Sequence, residues 1–437
     1  MKLTPMKPLY PISTTIYNVK PRCITVINQP SKPHKLKQAH SMEKTINNVE
    51  SHNLSSLSPS MSWRSRKLGK RWMEYQGMNN WEGLLDPLDD NLRAEILRYG
   101  QFVNVAYKSY DFDPSSPSYG SCKFPKSTLL DKCDLPNTGY KVTKLLRASS
   151  SIQLPRWVDK APTWVSTQSS YIGYVAVCDN KEEIKRLGRR DILIAYRGTA
   201  TCLEWLENLR ATLTYLPMPC KTWRNFHKDK IAPPMVESGF LSLYTSSCDS
   251  EDSLSLQHMV RREIGQVLQT YVGEPLSLTV TGHSLGAALA ALTAYDINTT
   301  FVRLPITTVV SFGGPRVGNR RFRQHLEKQG TKVLRVVNSN DVVTKVPGFV
   351  FHDDGHVARN QSVHAEGVQS WIKKMMEKEE WVYAEVGKEL RLCSRDSPYL
   401  TSDDVATCHE LNTYLHLVDG FVSSKCPFRA TTKRFLP

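Results

Sequence analysis

The segment 276–297, LSLTVTGHSLGAALAALTAYDI, constrains this chain more than any other. Apolar Leu276, Leu278 and Val280 alternate with Ser277, Thr279 and Thr281, the period-two pattern of a strand. After Gly282-His283-Ser284-Leu285-Gly286 comes an Ala- and Leu-rich run of high helix propensity. A serine between two glycines at a strand-to-helix turn reads as a nucleophile elbow. The turn is too tight for side chains on both flanks, so Gly282 and Gly286 leave room for it. Ser284 is then held at the carboxyl end of a sheet, beside a helix N-terminus that favours developing negative charge. The plain alternative is a Gly-rich turn that only closes a strand–helix unit. The strand before it and the helix after it favour the catalytic reading.

Other segments fit around that unit. Residues 171–178 and 191–196 read as two strands joined by a charged turn, the second running into Arg197-Gly198-Thr199. Val260, Ile264, Val267, Leu268 and Tyr271 mark one face of a helix leading into the elbow strand. Beyond the elbow, Ile306–Phe312 and Lys332–Asn338 are strand-like, and 381–386 is a further strand candidate. Strands alternating with helices predict an α/β fold with a mostly parallel central sheet flanked by helices. At 437 residues the chain suits one large domain with extensions.

Residues 1–60 differ from the rest. They hold eight Lys/Arg against two acidic residues, and thirteen Ser/Thr. They have no continuous apolar core of the kind a secretory signal needs. Basic, hydroxyl-rich and acid-poor composition is that of an organelle transit peptide, plastid or alternatively mitochondrial. It carries much of the chain's net charge of +15, so that charge does not argue for nucleic acid. Ordered structure is expected from the tryptophans at 63, 72 and 81 onward, with 61–160 as a helical extension before the catalytic domain 61–437 settles into its sheet. Asp89-Asp90-Asn91 is a helix start, followed by Leu92, Ile96, Tyr99, Val103 and Ala106 at helical spacing. The ten cysteines form no C-x-x-C pair and read as mostly reduced.

A serine hydroxyl is a poor nucleophile until a base takes its proton, and the base must itself be oriented. Asp341 follows the strand Lys332–Asn338, where an orienting acid belongs. Its rivals Asp353 and Asp354 have no strand leading into them. His409 precedes an apolar helical run from which a loop could aim it at Ser284, whereas His416 lies within that run and reads as packed. The chain order Ser, Asp, His fits the elbow-type hydrolases. His283 reads as structural. His352 and His356 lack a third ligand of matching spacing, so no metal or cofactor is expected. The oxyanion needs two N–H donors. Leu285, next after the nucleophile, supplies one, and Thr199 in the early strand-end loop the other. The plain alternative for Arg197, beside Thr199 in the same loop, is a structural salt bridge. Residues 213–238 mix aromatics, prolines and basic residues without a period, and a surface loop this long is usually functional or disordered.

Several stretches together resemble a known family. LTVTGHSLGA at 278–287, YRGT at 196–199, VESGFLSLY at 236–244, FGGPRVGN at 312–319 and VNSNDVVTKVPG at 337–348 are similar to the class 3 lipases. WMEYQGMNNWEGLLDPLD at 72–89 and YLHLVDGF at 414–421 resemble the plant class I phospholipase A1 group within them. The resemblance implies an α/β-hydrolase fold and a triad of Ser284, Asp341 and His409. It also implies an oxyanion role for Thr199 and a lid at 213–238. It further implies cleavage of the sn-1 acyl ester of phospholipids, with galactolipids and triacylglycerols as further substrates. The partner expected is then a lipid at a membrane or droplet surface. The rival from another class is a catalytically inactive lipase-like signalling scaffold. A scaffold tends to lose a triad member, and all three are present here.

Overall fold

A computed structural model describes residues 67–149, 169–199, 212–217, 233–247, 254–347, 382–400, 404–426 and 428. The segment 1–60, most of the candidate lid, and Asp353, Asp354, His352 and His356 lie outside the described residues.

The elbow strand sits at the centre of a seven-stranded sheet. In chain order the strands of this sheet are β1 (Tyr140–Ala148), β2 (Ser170–Cys178), β3 (Arg190–Tyr196), β6 (Leu276–His283), β7 (Ile306–Phe312), β9 (Lys332–Asn338) and β11 (Lys388–Leu392). Their spatial order is β1-β2-β3-β6-β7-β9-β11. From β3 to β11 all neighbours run parallel, while β1 and β2 are antiparallel additions at one edge. A second, four-stranded sheet has the order β10-β8-β5-β4. Its strands are β4 (Leu213–Tyr215), β5 (Met235–Glu237), β8 (Gly318–Asn319) and β10 (Tyr383–Ala384).

Parallel strands bury both faces, and β3 shows how. Ile192, Ile194 and Tyr196 join one apolar cluster, while Leu193 and Ala195 join the other. On the first face lie α2 (Ser238–Thr245), α3 (Leu256–Thr270), α4 (Leu285–Thr300) and α5 (Arg320–Lys328). On the second lie α1 (Asp90–Lys108) and α7 (Leu411–Gly420). The short α6 (Val405–His409) precedes α7. Helix α1 starts where expected: the Asp89 carboxylate accepts the N–H groups of Asn91 and Leu92 at 2.8 and 3.1 Å. Helix α4 is buried without a break from Leu285 to Ile297, which is why its sequence is Ala-rich rather than amphipathic. Each Leu or Ile so buried contributes roughly 1.5–3 kcal/mol.

Three expectations need adjusting. The stretch 61–160 is not wholly helical, because Tyr140–Ala148 is the edge strand β1. Of the candidate strand 381–386, among the described residues 382–386 only Tyr383–Ala384 is a strand, and it joins the small sheet; β11, just after it, completes the main one. The ends of the candidate lid are anchored rather than irregular: β4 and β5 pair antiparallel, with Thr214 opposite Val236. Among the described residues no helix is long and apolar enough to cross a membrane.

Candidate active site

Ser284 sits between β6 and α4 with φ 57° and ψ −126°, a region that costs a non-glycine residue about 1–3 kcal/mol. Its N–H donates to Phe312 O at 3.0 Å, which ties the turn to the end of β7. The flanking glycines are required by contact. A Cβ on Gly282 would lie 2.3 Å from the Gly286 carbonyl, and one on Gly286 would lie 2.6 Å from Arg197 O. Leu285 opens α4, where the first amides have no partner inside the helix, so its N–H lies at the positive end of the helix dipole.

Asp341 and His409 come together from β9 and α6. Asp341 is fully buried and His409 nearly so. His409 Nδ1 lies 2.7 Å from Asp341 Oδ2, with Nδ1 as the donor in the tautomer this pairing requires. The same Oδ2 accepts the Tyr414 hydroxyl at 2.6 Å, and Oδ1 accepts the Val343 N–H at 2.8 Å. Burial pushes the Tyr414 phenol well above its usual range, as does the neighbouring Asp341 charge, so it stays a donor. Asn338, at the end of β9, donates its side-chain amide to Cys408 O at 2.9 Å and accepts the Ser394 N–H at 3.0 Å. It thereby fixes α6 to the strand that carries Asp341.

The loop after β3 closes the other side. Gly198 lies so near the nucleophile that a Cβ there would be 2.9 Å from Ser284 Cβ. Thr199 follows it, and its hydroxyl oxygen is buried with no hydrogen-bond partner among the described residues. The Gly198 N–H donates to the Tyr107 hydroxyl at 2.8 Å. That hydroxyl lies 2.7 Å from His283 Nδ1, and His283 Nε2 lies 2.7 Å from His409 O. Burial holds the His283 pKa well below its usual value, with His409 adding to the shift, so the ring is neutral. A carbonyl can only accept, so Nε2 carries the proton and Nδ1 accepts from Tyr107. His283 therefore links the loop bearing Thr199 to the backbone of His409.

Among the described residues Arg197 forms no salt bridge, the plain alternative offered for it by the sequence. Its donors go to Tyr171 O at 2.9 Å, Gly198 O at 2.7 Å and Ser170 Oγ at 3.3 Å. His416 is packed as expected, with Nε2 2.7 Å from Ser397 Oγ. No group of three or more His, Cys, Asp or Glu able to hold a metal occurs among the described residues. The described cysteines are free thiols. Sequence reading missed Tyr107, Tyr414 and Asn338. No spacing rule connects Tyr107 in α1 to an elbow far downstream. Tyr414 lay in a recognised motif but had no assigned role.

A mostly parallel sheet, with a serine held at the turn after its central strand, is the architecture of an α/β-hydrolase. The pattern of the family Lipase (class 3) matches residues 193–351. Phospholipase A(1) DAD1, a chloroplastic protein of Arabidopsis thaliana, is 61% identical over 429 residues, covering 97% of this chain and 94% of that protein. The chloroplastic galactolipase DONGLE of the same organism is 38% identical over 362 residues, covering 80% of this chain and 70% of that protein. Among solved structures, the Lip2 lipase of Yarrowia lipolytica is 19% identical with a TM-score of 0.39, covering 62% of this chain and 79% of that one. The chain belongs to the class 3 lipase family, in its plant phospholipase A1 group.

Proposed function

We propose that this chain hydrolyses acyl esters of membrane lipids, phospholipids first and galactolipids as further substrates, through a triad of Ser284, His409 and Asp341. The observation that carries the reading is the buried Asp341–His409 pair at 2.7 Å, set at the same carboxyl end of the sheet as the Ser284 elbow. In the proposed mechanism Ser284 Oγ attacks the ester carbonyl carbon while its proton passes to His409 Nε2. The carbonyl electron pair moves onto oxygen, which the N–H groups of Leu285 and Thr199 receive. The intermediate collapses, the lysolipid alcohol leaves with the proton from His409, and an acyl-enzyme remains. Water activated by His409 then releases the fatty acid. The relatives named as phospholipase A1 and galactolipase support this substrate class, and the resemblance supports sn-1 cleavage. Nothing in the site favours the inactive scaffold.

Two accessory roles belong to the same reading. Residues 1–60 act as a plastid transit peptide. Their composition and the chloroplastic relatives support it, and a fluorescent reporter carrying residues 1–60 is the check. Residues 213–238 act as a lid, so that the enzyme works as a peripheral protein on a lipid surface.

The experiment is fatty-acid release from phosphatidylcholine and monogalactosyldiacylglycerol vesicles by the chain lacking residues 1–60 and by its Ser284→Ala variant. Removing the nucleophile is expected to lower turnover by roughly four orders of magnitude or more, with the thermal unfolding curve preserved. A folded variant that still releases fatty acid near the normal rate would overturn the assignment.

A further inference from the structure

Arg197 is a buried cation without a counter-anion among the described residues. It is 5% exposed, and its three hydrogen bonds all go to neutral oxygens. The guanidinium carbon sits 3.7 Å from the centre of the Tyr110 ring. Burial draws its pKa down, yet a guanidinium remains charged at any pH the protein meets. Placing an unmatched charge in the interior is costly, and neutral amide donors could bind the same oxygens. The charge itself therefore requires an explanation.

One of the three acceptors supplies it. Gly198 O and the Thr199 N–H belong to one planar, resonance-coupled peptide unit. A cation on the oxygen, at 2.7 Å, withdraws electron density from the nitrogen and makes the N–H a stronger donor. Trans planarity aims that N–H away from Arg197. The same loop lies against Ser284. It is pinned from its other end by the Gly198 N–H on Tyr107. The unpartnered Thr199 hydroxyl lies beside it.

We infer that Arg197 is a positioning residue that brings its charge to bear on the oxyanion through the Gly198–Thr199 peptide. The missing counter-anion is the oxygen of the tetrahedral intermediate. Arg197 transfers no proton. The new bond joins Ser284 Oγ to the acyl carbon, the displaced π pair rests on the oxygen, and His409 holds the serine proton. The unmatched cation gains its partner only as the intermediate forms, so the gain goes to the transition state rather than to substrate binding. This inference rests on the roles proposed above for Ser284 and Thr199.

The test uses a soluble short-chain p-nitrophenyl ester, an alkylboronic acid that forms an anionic tetrahedral adduct on serine, and the matching alkyl amide as a neutral ligand. Turnover and boronate inhibition of the unsubstituted protein, both lost in Ser284→Ala, establish the underlying reading independently. Arg197→Gln is expected to lower kcat about 10- to 100-fold with KM unchanged. It should weaken the boronic acid by a similar factor and leave amide affinity alone. Arg197→Lys, which keeps the charge but not the fork, is expected to recover part of both losses. The inference fails if folded Arg197→Gln keeps kcat within about twofold, or if kcat falls while boronate affinity does not. Should Arg197→Gln not fold, Arg197→Lys decides. A kcat within about tenfold of normal upholds a role for the charge, and a larger loss overturns it.

Discussion

Tyr414 shows how much of a site can hang on one hydroxyl. Asp341 Oδ2 is shared between His409 and Tyr414, and only the first of these contacts follows from the order of residues in the chain. Tyr414→Phe removes one donor from a buried carboxylate and leaves the ring in place. Losing a hydrogen bond to a charged group is worth about 1.5–3 kcal/mol, so kcat is expected to fall between about 10- and 100-fold while KM holds. Steady-state kinetics on a soluble ester measure this, and an unchanged kcat would make Tyr414 a packing residue only. Ser284, Asp341 and Thr199 were proposed because each follows a strand, and strand ends on one edge of a parallel sheet converge, whereas His409 was proposed from chain order and ends the short helix α6. Tyr107, Tyr414 and Asn338 were not, because their roles depend on which helix packs over the sheet. The salt-bridge alternative for Arg197 fails among the described residues for a related reason: a buried arginine suggests a carboxylate, and the sequence does not show which oxygens the guanidinium meets.

At the scale of elements, β6 illustrates both the power and the limit of periodicity. Its alternation correctly marks a strand, but the polar set is not solvent-facing. Ser277 and Thr279 are fully buried and donate to Asp191 at 2.7 and 3.0 Å. Strand β1 was overlooked because lysines and an arginine interrupt it, as suits a sheet edge. The candidate lid is the element whose function reaches furthest beyond its local pattern. Its ends are tied down: Leu213 and Met235 pack with Tyr383, and Tyr215 beside them is 44% exposed. Residues between these anchors include Trp223 and Phe226 together with Lys221, Arg224, Lys228 and Lys230, a mixture suited to acyl chains and anionic head groups. If this segment covers the site in water, activity on a short-chain ester should rise sharply once the substrate aggregates. Trp223→Ala should cost about tenfold more on vesicles than on monomeric ester, the worth of one withdrawn aromatic. Equal losses on both substrates, with no rise at the aggregation point, would make the segment a fixed surface loop.

For the molecule as a whole, the elbow strand is held in place by charges as well as by apolar packing. Between α1 and the sheet, Glu95, Arg98, Arg189 and Asp191 form a fully buried, electrically balanced cluster. Glu95 lies 2.6 Å from Arg98 and 3.4 Å from Arg189, and Arg98 lies 3.5 Å from Asp191. Arg189 also reaches Ser277 of β6 at 2.9 Å, so the cluster joins helix, neighbouring strand and elbow strand. Burial pushes the Glu95 pKa up, but the two guanidiniums outweigh it and hold the carboxyl at about 2, against 4.5 in an exposed chain. A carboxyl depressed in the folded state stabilises it above the unfolded pKa, and that contribution is lost as pH falls from about 4.5 towards 2. The shift corresponds to about 3 kcal/mol. Glu95→Gln leaves the arginines with one fewer anion, and breaking a buried pair in this way costs roughly 3–5 kcal/mol at neutral pH. Acidic groups remote from the cluster cancel between the two proteins, so the difference between their unfolding free energies reports on the cluster that Glu95 completes. Urea unfolding of the two, followed from pH 7 down to pH 3, should show a constant gap above about pH 5 that narrows steadily below pH 4.5. A gap that stays the same down to pH 3 would mean that Glu95 holds the elbow strand by its shape and not by its charge.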